Sequence, residues 1–541
     1  MISQNMDFSD FDRITFAHES SPSFVVLSYR KGKRKNKRVT FHFLGLENFV
    51  GFEMTIKRRE KLGVLAEKWG APPKLDIDIS HIDHVPEEEL KKYCLRDAEI
   101  CWFIYSKYFK EITRNGLVKR TLPSIAFYKL KKSLHVEIDS KRPKWIKAIE
   151  NKAYYGGRCE AFKIKMKNVY CYDFNSLYPS VMLDMKVPVK FLGALPKEER
   201  TIEKLYELYE SEDKQAIVHC IVEVSKPVLP FRLKKRLIFP VGCFRGYWCL
   251  EELMWGIKKK YVKIKKVIGI FVYQAVKGLF DKYVLKNYRK RLEYSKDDPR
   301  NRYYKMLLNA PYGKWAQRKT LTITLSKEEA RKYLKAGLQC GDHVCMNNTV
   351  MTLRKTGNKY YLTAKTREET RGRFTLISAI ITARARVKML ETFEKCNWKV
   401  VYCDTDSVFT PVKLESSTKL GELKLEGFGH FKLHALKFYN FERKRKHKGI
   451  PEHAKLIKSR REKVFEFDKL LKPREAMRRG LPAFIKLKTK KVLKGINHYQ
   501  KGYVIGNDIY PLLLQSNHVI KNHPCKNIKA LKKLYKNMYW I

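Results

Sequence analysis

Two hydrophobic runs in this chain end in carboxylates. One is residues 168–174 (NVYCYDF), which reads as a buried strand closing on Asp173 before a turn at Asn175-Ser176. The other is residues 399–410, two short strands around the turn Asp404-Thr405-Asp406. Brought side by side, two acidic strand ends make a cage for divalent ions. Phosphoryl transfer to a nucleotide 3′-hydroxyl uses two such ions about 4 Å apart, one activating the attacking oxygen and one holding the triphosphate. Magnesium suits this cage, since it takes a few carboxylates and leaves room for substrate oxygens. Taken singly, Asp-Thr-Asp-Ser reads equally well as a β-turn capped by its own side chains.

A third element separates the two readings. Lys305-Met-Leu-Leu-Asn309-Ala-Pro-Tyr312-Gly313 lies between the acidic turns. On a helix, positions 305, 309 and 312 share one face. A lysine there neutralises phosphate charge, and a tyrosine stacks on a base pair. Pro311 removes a backbone donor and is expected to end the helix early.

The charge points the same way. Lys and Arg number 113 against 56 Asp and Glu, a net +57. Such an excess favours a polyanionic partner through counterion release, although a basic ribosomal-type or thermophile protein or a membrane-surface binder would share it. At 541 residues the chain exceeds one core, so several subdomains are expected. The twelve cysteines are scattered without a C-x-x-C pair, and Cys340 with Cys345 lacks a second ligand pair, which argues against zinc and for a reducing compartment. No apolar run approaches the roughly 18 residues of a membrane span, and the N-terminus lacks the layout of a signal or transit peptide. A cytoplasmic location and no membrane partner are expected.

Periodicity supplies further elements. Residues 24–46 read as a hairpin turning at Lys31-Gly32-Lys33. Residues 86–111 read as a helix with Pro86 and three glutamates at its start, and with Leu90, Tyr93, Cys94, Asp97 and Cys101 on one face. Residues 273–296 read as a cationic helix and 300 to about 308 as a second, divided by Asp297-Asp298-Pro299 as cap and start. Residues 374–396 read as another helix, and the run at 441–448 (FERKRKHK) as a solvated charged face.

The three segments resemble motifs A (D-x2-SLYP), B (K-x3-NS-x-YG) and C (Y-x-DTDS) of family B DNA polymerases. Tyr154-Tyr-Gly156-Gly157 resembles the Y-x-GG linker of the protein-primed branch found in phages, adenoviruses and linear plasmids, and Lys437-Phe-Tyr439 its K-x-Y motif. The resemblance implies an α+β multidomain fold, a palm, fingers and thumb right hand preceded by a partial ribonuclease H-like exonuclease domain. It divides the chain into 1–115 (exonuclease-like), 116–185 (linker and palm start), 186–280 (an insertion facing the priming protein), 281–318 (fingers), 319–370 (a strand-displacement insertion), 371–455 (palm) and 456–541 (thumb). By the same resemblance, two Mg²⁺ ions, replaceable by Mn²⁺, sit on Asp173, Asp406 and the Phe174 carbonyl, with Asp404 in support. Tyr178 gates against ribose. Arg291, Lys305, Asn309 and Tyr312 hold the dNTP. Tyr154, Gly156, Gly157, Ser176, Lys437, Tyr439, Lys446 and Lys448 hold template and primer DNA. A terminal priming protein is the implied partner. Ala310 stands where the family has Ser, removing one hydroxyl.

At the front, Tyr93-x3-Asp97 resembles the third exonuclease motif, and Lys74 the lysine before it. Asp10, in Asn5-x3-Ser9-Asp10, matches the second motif only in spacing, and the D-x-E strand of the first is not seen. Asp10 and Asp97 read equally as ordinary surface carboxylates. The expectation is a weak or absent exonuclease: vestigial, truncated, or completed by a separate polypeptide. Two other readings compete with a polymerase. A catalytically inactive DNA-binding derivative would not need to keep Asp173, Asp404 and Asp406. A reverse transcriptase would show Y-x-D-D rather than D-T-D-S.

Overall fold

The computed structural model describes the strands 13–16, 24–30 and 38–44, then residues 62–76, 85–108 and 122–519 apart from gaps at 235, 297, 337–342, 347–348, 357–358, 443, 448, 452–453, 459–462, 471–485, 494 and 497–498. The fold is mixed α/β and multidomain, and its centre is a seven-stranded antiparallel sheet. Its strands are β1 (Cys159–Ala161), β2 (Lys165–Phe174), β3 (Tyr402–Asp404), β4 (Ser407–Thr410), β5 (Leu423–Ala435), β6 (Phe438–Phe441) and β7 (Lys444–His447), in the order β7-β6-β5-β2-β4-β3-β1.

The two-residue period of β2 divides its side chains between two environments. Tyr172 and Phe174 enter the main core with Cys403 and Val408. Val169 and Cys171 join Tyr402, Phe409, Phe431 and Tyr439 in an aromatic cluster on the other face. The long helix α5 (Thr375–Lys395) covers the first face with a nearly continuous run of buried residues. Ahead of it in sequence come α1 (Glu87–Tyr108), α2 (Leu122–Ser133), α3 (Asp281–Leu292) and α4 (Pro299–Trp315). A separate six-stranded sheet is built mainly from residues 186–277 and closed by Leu513–Gln515 and His518–Val519. A four-stranded sheet spans 318–369, and three strands between 455 and 493 form another.

Several expectations change. The cationic helix begins at Asp281, because 273–277 complete the strand Val262–Lys277. Tyr273 is fully buried there and paired with Phe191 and Gln215. Gly278, at φ +69°, then turns the chain into α3. The second helix does not stop at Pro311 but runs on to Trp315. Pro311 has no N–H for the Leu307 carbonyl, and the Tyr283 hydroxyl lies 2.9 Å from that oxygen in its place. Asp298 caps α4 by accepting from Arg300 N, with Pro299 in the first turn; Asp297 lies outside the described residues.

On α1 the buried positions are Ile100 and Ile104, in line with Tyr93 and Asp97, whereas Cys94 is exposed. Most of the 441–448 run lies in the edge hairpin β6–β7, where Glu442 and Lys446 are exposed. The hairpin at 24–46 forms, pairing Arg30 with Arg38; its expected turn at Lys31-Gly32-Lys33 lies outside the described residues. No described helix is long and apolar enough to cross a membrane.

Candidate active site

The antiparallel register of β2 and β4 pairs Asp173 with Ser407, and Phe174 N donates to Asp406 O at 2.8 Å. The two acidic strand ends therefore lie side by side at one edge of the sheet. Thr405, at φ +65°, makes the turn between β3 and β4, and its N–H donates to Arg158 O at 2.6 Å. Burial, followed by the charge of Asp406, raises Asp173 from 3.8 to about 7, with Glu426 adding to the rise and Lys446 and Lys305 opposing it. Asp406 is also raised. It stands exposed at the turn tip, yet close packing around the carboxyl is the first cause and Asp404 adds to it.

Asp404 sits two residues before Asp406 on the same turn, and its charge reaches Asp406. Its carboxylate is ion-paired with Lys437 Nζ, and no group of three acidic, histidine or cysteine ligands forms among the described residues. Two crowded carboxylates that repel each other form a donor set whose strain a divalent cation relieves. With substrate oxygens completing the shell, Asp173 and Asp406 fit the magnesium class.

Helix α4 faces this edge. The charge of Lys305 reaches both carboxylates. Asn309 Nδ2 donates to Lys305 O at 2.9 Å, a bond within the helix. Tyr312 stacks on Tyr178 with ring centroids 4.2 Å apart and planes 24° apart, so the two expected sugar- and base-facing rings form one platform. Burial, then the Tyr312 phenol, pushes the Tyr178 hydroxyl above the ordinary tyrosine value; burial also raises Tyr312, where the bond to Tyr178 works against the rise and the charge of Asp406 adds to it. Arg291 Nη1 donates to Ser176 Oγ at 2.7 Å and Nε to Asn301 Oδ1 at 3.2 Å, fixing the arginine beside the turn that carries Asp173. Ser176, expected on DNA, is thus already engaged.

The Tyr154–Gly157 segment runs against the catalytic turn. A Cβ on Gly157 would lie 2.8 Å from Thr405 Cγ2 and 3.1 Å from the Tyr178 hydroxyl, so only glycine lets the chain pass. Gly156 has open space around it. Residues that sequence reading missed hold this segment. Arg386 donates to the Tyr155 and Gly156 carbonyls, both at 2.9 Å, while bridging to buried Glu252, and Thr382 donates to Tyr155 O at 2.7 Å. The available signal was a threonine and an arginine four residues apart on the largely buried face of this helix.

Of the expected primer contacts, Lys437 is held by Asp404, and its N–H donates to Tyr402 OH at 3.2 Å. Tyr439 is 5 % exposed within the aromatic cluster, with Lys446 Nζ 6.0 Å above its ring. Lys448 lies outside the described residues, as does Asp10. At the front, Lys74 Nζ bonds both Asp97 oxygens at 2.6 and 2.8 Å and the Tyr93 hydroxyl at 2.6 Å, bringing those three expected residues together. Burial works against the Lys74 charge, but the bonds to Asp97 and Tyr93 outweigh it and raise its pKa.

A sheet with two acidic strand ends, faced by a basic helix, is the layout of a right-hand polymerase fold. The chain belongs to the family of type B DNA polymerases, organellar and viral, whose model matches residues 81–396. That match includes Asp173 and Lys305 and ends just before Asp404. Among curated relatives, a probable DNA polymerase of Neurospora intermedia is 27 % identical over 372 residues, covering 63 % of this chain and 36 % of that protein. The DNA-directed DNA polymerase of Enterobacteria phage PRD1 is 26 % identical over 265 residues, covering 47 % and 42 %. The chain thus spans less than half the length of these relatives. The solved Phi29 DNA polymerase with primer-template DNA and incoming nucleotide superposes with a TM-score of 0.54 at 18 % identity, covering 87 % of this chain and 75 % of that one. The Phi29 binary complex gives 0.55 at 14 %, covering 88 % and 83 %.

Proposed function

We propose that this chain is a DNA-directed DNA polymerase that adds dNMPs to a primer 3′-hydroxyl on a DNA template. The observation that carries the proposal is the paired strand ends: Asp173 beside Asp406, both raised by burial and by neighbouring carboxylates. Two divalent ions of the magnesium class, held by Asp173, Asp406 and the Phe174 carbonyl, would supply the charge that activates the 3′-oxygen and steadies the triphosphate.

The chain's own residues do the rest. Lys305 and Arg291 offset phosphate charge along one wall. The stacked Tyr178–Tyr312 pair floors the sugar and base position, where the Tyr178 ring takes the space of a 2′-hydroxyl. Lys437 neutralises Asp404, so the turn presents one free carboxylate rather than two. Residues 186–280 and 319–370, each carrying its own sheet, suit the priming-protein and strand-displacement insertions of a protein-primed enzyme replicating a linear viral or plasmid genome. Asp97 is bound by Lys74 at both oxygens, which favours a structural role over exonuclease catalysis. Incubation with labelled dNTP, Mg²⁺ and primer-template DNA tests the polymerase reading. Label transferred to a candidate priming protein tests initiation.

A further inference from the structure

Helix α4 ends at Trp315, and the chain later returns along that end. Thr370 N donates to Gln317 O at 2.9 Å, and Phe374 N to Trp315 O at 3.1 Å. These bonds bring Arg373 beside Lys314. Lys314 Nζ lies 3.1 Å from Ser124 Oγ on α2 and 3.1 Å from Gln317 Oε1. The Arg373 guanidinium lies 4.0 Å over the ring of Phe127, also on α2. Both cations are half-buried. Lys314 is two residues past Tyr312, about 200° around the helix, so it points away from the nucleotide platform toward α2.

What distinguishes this pair is the lack of counter-charge. Neither Lys314 nor Arg373 forms an ion pair among the described residues, and Arg373 Nε is buried with no hydrogen-bond partner. Glu369, whose charge reaches Arg373, is engaged with Arg142 and with the N–H and hydroxyl of Thr375. Elsewhere the same fold compensates its buried cations: Arg142 meets Glu150 and Glu369, and Arg386 meets Glu252. Burial, and then the charge of Arg373, pull Lys314 down to about 8, and burial lowers Arg373 as well. Uncompensated cations in a partly desolvated place are costly unless an anion joins them.

We infer that Lys314, Arg373 and Ser124 form a binding site for a phosphate group on the far side of α4 from the reacting centre. Two cations, a hydroxyl and the free Nε–H together supply donors for a tetrahedral anion. The phosphate comes either from a DNA backbone, an assignment that rests on the polymerase reading, or from a free phosphate species.

The test uses the full chain and the variants Lys314→Met, Lys314→Arg and Arg373→Met. Melting is followed in inorganic phosphate against chloride at matched ionic strength. Binding of a labelled oligo-dT strand and of primer-template DNA is followed by anisotropy across a salt series. For a free species, the phosphate-specific rise in Tm falls in Lys314→Met and Arg373→Met and returns in Lys314→Arg. For a DNA strand, the slope of log K against log salt also becomes shallower, by about 0.7–0.9 for the lost contact. An unchanged phosphate response together with unchanged slopes in both methionine variants overturns the site. Primer extension by the unaltered chain keeps the two readings apart: if it fails, the polymerase proposal falls while the phosphate arm is decided on its own data.

Discussion

Asp173→Asn should stabilise the metal-free protein at alkaline pH while destroying catalysis. The carboxyl is raised from 3.8 to about 7, chiefly by burial and by Asp406. Because the folded-state value is raised, its contribution to stability is fully present below the unfolded value near 4 and is lost as pH climbs through about 7. At about 1.36 kcal/mol per pH unit the gap corresponds to roughly 4 kcal/mol; this carboxyl is partly open to solvent, so screening brings it to about 2 kcal/mol. Asparagine removes the ionisation. In EDTA the variant should melt roughly 2–4 °C above the unaltered chain at pH 8, and that advantage should shrink toward pH 5. Added Mg²⁺ should raise the melting temperature of the unaltered chain and leave the variant nearly unmoved. Scanning fluorimetry across pH, with EDTA or Mg²⁺, reads all three. Equal pH profiles for the two proteins in EDTA would refute the repulsion argument.

Four further outcomes follow from the site. Tyr178→Val should raise ribonucleotide incorporation relative to deoxyribonucleotide by at least about tenfold, measured as the ratio of kcat/KM values in single-nucleotide extension. Gly157→Ala should lower extension at least about tenfold while shifting the melting temperature little, because the new methyl meets Thr405 and Tyr178 rather than the core; parallel activity and melting assays separate the two effects. Arg386→Met leaves Glu252 buried without its partner and should cost about 3–5 kcal/mol, seen as poor soluble yield or a large fall in melting temperature. Excision of mismatched primer ends should be far slower than extension, and Asp97→Ala should change it little, since Lys74 already occupies that carboxylate; a gel assay with both proteins reads this directly.

The elements read correctly in advance were those whose evidence is local. A hydrophobic run ending in an acid, a capped helix start at Asp298-Pro299 and the long apolar face of α5 need only neighbouring residues to be seen. The misreadings lie where a distant partner changed the outcome. Pro311 fits within a helix because Tyr283, on another helix, supplies a donor to Leu307. Residues 273–277 carry helix-like charge but complete a ladder whose partners lie at Phe191 and Gln215. Arg386 and Thr382 escaped notice because their work, holding the Tyr154–Gly157 backbone, leaves no trace in spacing that sets them apart from the other polar residues of the same helix.

On this reading Asp173 and Asp406 together form the catalytic centre for nucleotide addition. The most direct measurement is single-turnover extension of a DNA primer-template with one dNTP and Mg²⁺, comparing the unaltered chain with Asp173→Ala and Asp406→Ala at matched DNA occupancy. The unaltered chain should extend the primer, and each variant should lose several orders of magnitude in rate with DNA binding retained. Near-normal extension by either variant would contradict it.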